Sequence, residues 1–167
     1  DREFDFDSVD ARDIPYPEDT FDAVTAHFVL SHLTDADREQ ALAEIRRVLK
    51  SEGELYAATT GTDDLAALYD AAAPFGSRPA DGAFALGNGA DQLREQFGAV
   101  ERRDFEHALT ITEPEPAVAY LHSLPGFDGD DAFALAEALR ERIGEDAFEV
   151  GRSVGVFVAS GRRERTE

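Results

Sequence analysis

Of the side chains in this sequence, only its four histidines have an ordinary pKa close to neutrality. Two of them, His27 and His32, follow a short apolar run, Phe21-Asp22-Ala23-Val24-Thr25-Ala26. His32 could orient a substrate hydroxyl or act as a general base. Its plainer reading is a side chain that hydrogen-bonds the backbone and shapes a loop. His27, His32 and Asp35 carry the right atoms for zinc, but their spacing does not put them on one helix face, so no metal site is expected. His107 and His122 read as a strand-face and a helix-face residue. Tyr56 and Thr59, with Thr60, close a second apolar run and could touch a substrate; β-propensity accounts for them equally well. No Ser-His-Asp order, phosphate loop or carboxylate pair stands out in so acidic a chain, and no catalytic residue is assigned.

These residues need elements to hold them. Phe21–Ala26 is short and apolar on both faces, as suits a strand inside a parallel sheet. Leu55-Tyr56-Ala57-Ala58-Thr59, opened by Gly53, is another such run. Between them Ala41, Leu42, Ile45, Val48 and Leu49 recur at the spacing of one helix face. Thr34 or Asp35 can cap that helix, with Asp37 and Glu39 in its first turns. Arg46, Arg47 and Lys50 suit its last turn, and Gly53 can take a left-handed exit. Strand, helix, strand in this order predicts a right-handed βαβ unit. His27 and Phe28 then fall just past the C-terminal end of its first strand, the edge where ligands bind open parallel sheets.

The stretch from Val9 to Gly61 carries more than periodicity. Asp10-Ala11 is followed by Ile14-Pro15-Tyr16, then Asp19-Thr20-Phe21-Asp22, Leu30-Ser31-His32-Leu33, and the helix Ala41 to Lys50. In this order and spacing it resembles the middle of class I S-adenosylmethionine-dependent methyltransferases, of the small-molecule kind related to quinone-biosynthesis methyltransferases. One departure is Ser51-Glu52-Gly53, where the family usually has Pro-Gly-Gly. The resemblance implies S-adenosylmethionine as cofactor. It implies that Asp10 accepts from the adenine amino group, that the Ala11 N–H donates to a ring nitrogen, and that His27 and Phe28 line the cofactor. It also implies that a glycine-rich strand-turn-helix precedes Asp10. Nothing before Val9 can be that element, so the expectation is the C-terminal two-thirds of such an enzyme, binding the cofactor weakly by itself.

The length fits one domain, 1–167, and there is no cysteine for a disulfide or a thiolate metal site. No apolar run approaches membrane-spanning length, and a cytoplasmic location is expected. The net charge of −20 argues against nucleic-acid or anionic-membrane partners. With a single lysine, Lys50, it resembles proteins of salt-loving archaea.

Further along, Phe4 and Phe6 alternate with charges and could form a strand before Asp10. Thr62-Asp63-Asp64 should cap a helix carrying Leu65, Leu68 and Tyr69. Pro74, Gly76, Pro79 and Gly82 mark a loop, and a short helix with Leu93 and Phe97 should stop at Gly98. Phe105, His107, Leu109 and Ile111 alternate as a half-exposed edge strand. Pro114 opens a helix through Leu121. Asp130 opens another, with Phe133, Ala136, Leu139 and Ile143 inward and Gly144 as its stop. Val154–Ser160, apolar on both faces, should be an inner strand between Phe105–Ile111 and Leu55–Thr59.

The expected fold is α/β: a Rossmann-like methyltransferase sheet with helices on both faces, lacking its glycine-rich strand-turn-helix. The expected function is methyl transfer from S-adenosylmethionine to a small molecule. The alternative is a non-catalytic fragment or interaction domain of this fold that binds no cofactor. A nicotinamide-linked oxidoreductase is a weaker fit, since Asp-Ala and Ile-Pro-Tyr have no place in it. With Phe21–Ala26 left as an apolar sheet edge, a second copy of the chain could pair there.

Overall fold

The computed structural model describes residues 5–78, 83–127, 129, 131–144 and 146–162. Along them lie β1 (Phe21–His27), a 3-10 turn (Leu30–His32), α1 (Asp35–Val48), β2 (Leu49–Thr60), α2 (Ala66–Ala72), α3 (Gly89–Leu93), β3 (Phe97–Ile111), α4 (Pro114–His122), α5 (Ala132–Ile143) and β4 (Phe148–Arg162). The strands form a sheet in the order β1-β2-β4-β3. β1 and β2 are parallel, with Val24 opposite Leu55 and Ala26 opposite Ala57. The last strand lies between β2 and β3, as its two apolar faces predicted. It runs antiparallel to β3: Gly98 lies against the Arg162 carbonyl, and Thr110 Oγ1 bonds Glu149.

The described residues divide into two compact units, one of 5–60, 83–103 and 155–162, the other of 61–78, 104–127, 129, 131–144 and 146–154. In the first, Leu42, Ile45 and Leu49 are buried with Leu55, Ala57 and the edge-to-face pair Phe84–Phe157. α1 starts at Thr34, whose hydroxyl accepts from the Asp37 N–H at 3.2 Å. In the second unit, Leu68 of α2, Leu121 of α4 and Leu135 and Leu139 of α5 pack with Phe148 and Val150.

Several local expectations are corrected. Residues 5–9 form no strand, and Phe6 is 95% exposed; residues 1–4 lie outside the described residues. β2 begins at Leu49, directly after α1, and its pairing with β1 jumps from Phe21–Leu49 to Ala23–Glu54. Gly53 therefore sits in a bulge and has no positive φ. Its value is close approach: a Cβ there would meet the Phe21 carbonyl and Leu49 Cδ2 at 3.0 Å. The residue before α2 is Leu65, in the left-handed region at φ 57°, and Asp64 caps nothing; it bonds the Ser153 N–H and Arg152 instead. Phe97 and Gly98 already belong to β3, where Gly98 leaves room for the Arg162 carbonyl. On α5, Leu135, Leu139 and Ile143 define the inner face one turn apart, which turns Phe133 outward at 75% exposure. Asp131 caps that helix; Asp130 lies outside the described residues. Gly144 ends it at φ 64°.

Candidate functional site

The loop that carries Asp10 is built from local bonds and held from α1. Asp13 N–H donates to the Asp10 carbonyl at 3.0 Å, closing a tight turn. Beyond it, Glu44 Oε2 accepts the Ile14 N–H at 3.0 Å, while Arg47 donates to the Ile14 and Tyr16 carbonyls at 2.9 and 2.8 Å. Arg47 also binds Glu44 directly, at 2.8 and 2.7 Å. The guanidinium holds the Glu44 carboxyl down to about 2 against burial that would raise it. Two α1 residues three apart thus clamp the Ile-Pro-Tyr turn that follows Asp10-Ala11.

An apolar groove of about 390 Å³ runs beside β1. It brings Ala11 together with Ala26, Val29 and Leu30 at the C-terminal end of that strand, and with Tyr16 of the clamped turn. Tyr16 stacks edge-on to Phe21, centroids 5.0 Å apart. Asp10, His27 and Phe28 border this region through their chain neighbours rather than lining the groove. His27 ends β1, exposed, and Phe28 follows at φ 56°. A phenylalanine in the left-handed region is strained, and such residues gather at functional turns. The turn is secured by the Phe28 N–H to the Ala58 carbonyl at 3.0 Å and by Ser31 Oγ to the Phe28 carbonyl at 3.1 Å.

Asp10 is already engaged. Arg12 donates to it from Nε and Nη2, the latter at 2.7 Å, and from its backbone N–H at 2.9 Å. These bonds hold the Asp10 carboxyl down to about 2. Arg12 reaches on to Asp37 at 2.8 Å, tying the loop to the first turn of α1. A carboxylate has about four lone-pair sites, so a further donor can still approach, in competition with the guanidinium.

The other candidate residues lie apart from the groove. His32 is exposed, and its backbone N–H donates to the Val29 carbonyl. Tyr56 donates to Glu54 Oε2 at 2.5 Å, which raises its pKa. Thr59 is 2% exposed, and its hydroxyl donates to the Phe84 carbonyl at 2.9 Å. No cluster of three metal-binding side chains occurs among the described residues. The residues missed in the sequence are Arg12, Glu44, Arg47 and Val29. Only the three-residue spacing of Glu44 and Arg47 signalled an interaction.

Residues 1–57 match the methyltransferase domain family. A stretch of 46 residues is 52% identical to the ubiquinone/menaquinone biosynthesis C-methyltransferase UbiE of Paraburkholderia phymatum, covering 28% of this chain and 18% of that protein. The UbiE of Bordetella avium matches at 50% over 46 residues, 28% of this chain and 17% of the relative. The chain thus covers under a fifth of the length of these curated relatives. Among solved structures, the methyltransferase candidate BH2331 of Bacillus halodurans superposes at a TM-score of 0.54 with 16% identity, over 94% of this chain and 70% of that one. The YcgJ protein of Bacillus subtilis gives 0.50 with 15% identity, over 92% and 69%. At such identities the likeness is one of fold: the chain has the Rossmann-like sheet of methyltransferases. The sequence likeness to methyltransferase domains lies in residues 1–57, about a third of the chain. No described helix is long and apolar enough to cross a membrane.

Proposed function

We propose that this protein serves methyl transfer from S-adenosylmethionine to a small-molecule acceptor, with Asp10, Ala11, His27 and Phe28 at the adenine end of the cofactor site. The observation that carries this reading is the groove that joins Ala11 to the C-terminal end of β1 beside a strained Phe28. In such chemistry the sulfonium is already activated, so the protein's work is alignment, and no dedicated base is required. The residues fit the cofactor's adenine: an acceptor at Asp10 and a backbone donor at Ala11 match the two sides of its edge. The acidic, lysine-poor composition supports work in a salt-rich cytoplasm.

The test is a titration with S-adenosylhomocysteine followed by amide NMR, which detects weak binding. Saturable shifts at Asp10, Ala11, His27 and Phe28 are expected, weakened in Asp10→Ala and displaced by adenosine. A second reading, a non-catalytic interaction domain, draws on Arg12, which already occupies the Asp10 carboxylate. Flat amide positions up to the solubility limit of the ligand would favour it.

A further inference from the structure

The second unit holds a cavity of about 390 Å³, within the size range of small-molecule sites. Leu65 and Leu68 before and on α2, Ile111 at the end of β3 and Ala117 of α4 give it an apolar wall, and Tyr120 and Arg152 bring polar atoms to it. Arg152 is fixed from behind. Its Nε donates to Asp64 Oδ1 at 2.7 Å, and the same oxygen accepts the Ser153 N–H at 2.8 Å. Asp64 itself is 8% exposed. Backbone bonds from Gly61 to Ser153 and from Leu65 to Gly151 hold the strand segment in place. No hydrogen bond holds the terminal nitrogens of Arg152 to a described residue, which leaves them as donors for a ligand in the cavity this side chain lines. Across the cavity lining, the Tyr120 hydroxyl lies 3.2 Å from that of Tyr69.

Charge decides which head group fits. Asp64 neutralises Arg152 at contact distance, and Glu113 lines the same cavity. A carboxylate would enter a site without spare positive charge, beside Glu113, in a chain of net charge −20. A neutral carbonyl oxygen accepts the same N–H bonds without bringing a second negative charge. We propose that this cavity binds a small, neutral, largely apolar molecule through a carbonyl oxygen that accepts from Arg152. The site belongs to the second unit alone and does not rest on the methyl-transfer reading.

Three probes with one ring system and different head groups test it: acetylnaphthalene, ethylnaphthalene and naphthoate, substituted at the same carbon. Proton–carbon methyl spectra of the whole protein report binding at Leu65, Leu68 and Ile111. The ketone should bind about tenfold or more tightly than the hydrocarbon and the carboxylate, the gain expected of a hydrogen bond to a charged donor. Arg152→Lys keeps a cation for Asp64 but removes the fork, and should bring the ketone to the level of the hydrocarbon. Ala117→Leu narrows the cavity and should weaken all three. Thermal melts establish that each variant folds; should either fail, the ranking of the three probes on the wild type decides. The proposal is overturned if no cavity methyl shifts with any probe, if naphthoate binds most tightly, or if ketone and hydrocarbon bind equally.

Discussion

Glu44 and Arg47 stand three residues apart on α1 and between them satisfy the Ile14 N–H and the Ile14 and Tyr16 carbonyls. The folded protein keeps the Glu44 carboxyl near 2, below its ordinary 4.5. A depressed carboxyl pKa adds stability that is complete above the ordinary value and is lost as pH falls through the folded one. Stability should therefore decline from pH 4.5 toward about 2, and Glu44→Gln should flatten that decline while lowering the melting temperature at neutral pH. Melts of both proteins across this window check it; parallel curves would remove Glu44 from the clamp. The sequence revealed some of this scale. Thr34 as a cap and Gly144 as a stop follow from local backbone chemistry, so a sequence can carry them. Asp64 read as a cap because its neighbours had the pattern. Its real partners, Arg152 and Ser153, lie in a strand far along the chain that no local rule could supply.

Among the elements, α1 was legible because its apolar positions recur on one face, and Leu42 is 3% exposed as that spacing predicts. Leu42→Ala should cost about 2–5 kcal/mol in a denaturant melt, from lost transfer energy and the cavity left behind. β2 was legible only in its buried half. The bulge at its start hid in Ser51-Glu52-Gly53, which has the composition of a turn. Gly53→Ala should cost about 1–3 kcal/mol, since the added methyl meets β1 backbone oxygens that are themselves held in the sheet. A variant as stable as wild type would show that the bulge can shift. β3 was legible as an edge strand only over its second half, from the alternation of Phe105, His107, Leu109 and Ile111. Its start at Phe97 was read as a helix end, and residues 101–110 are more exposed than that alternation suggested, held by backbone pairing to β4. The inner place of β4 was legible from Val154, Val156, Phe157 and Val158, apolar on both faces, although the strand starts earlier, at Phe148.

For the whole molecule, charge is the governing quantity. Arginines are drawn into pairs such as Arg12–Asp10, Arg140–Glu115 and Arg152–Asp64, yet the acidic side chains far outnumber them. The uncompensated remainder repels itself, and added salt screens that repulsion over about 10 Å at ~0.1 M and over less at higher strength. The melting temperature should rise from dilute buffer to molar potassium chloride. A constant midpoint would reject adaptation to salt as the meaning of the composition. The candidate cofactor residues were legible at this scale only as members of an ordered motif. The cavity beside Arg152 was not legible, because its walls come from α2, β3, α4 and β4, whose residues are scattered along the chain.

The tyrosines have an optical consequence. The chain has no tryptophan and four tyrosines, so its near-ultraviolet emission is theirs alone. Tyr56 passes its hydroxyl bond to the Glu54 carboxylate at 2.5 Å, an arrangement that quenches phenol fluorescence. Tyr16 lines the groove beside β1, and Tyr120, bonded to Tyr69, lines the cavity of the second unit. Each candidate site thus carries its own native fluorophore. Replacing Tyr69 and Tyr120 together by Phe leaves Tyr16 to report on the groove, and replacing Tyr16 leaves the second-unit pair, so occupancy of the two sites can be followed separately by light, without a label.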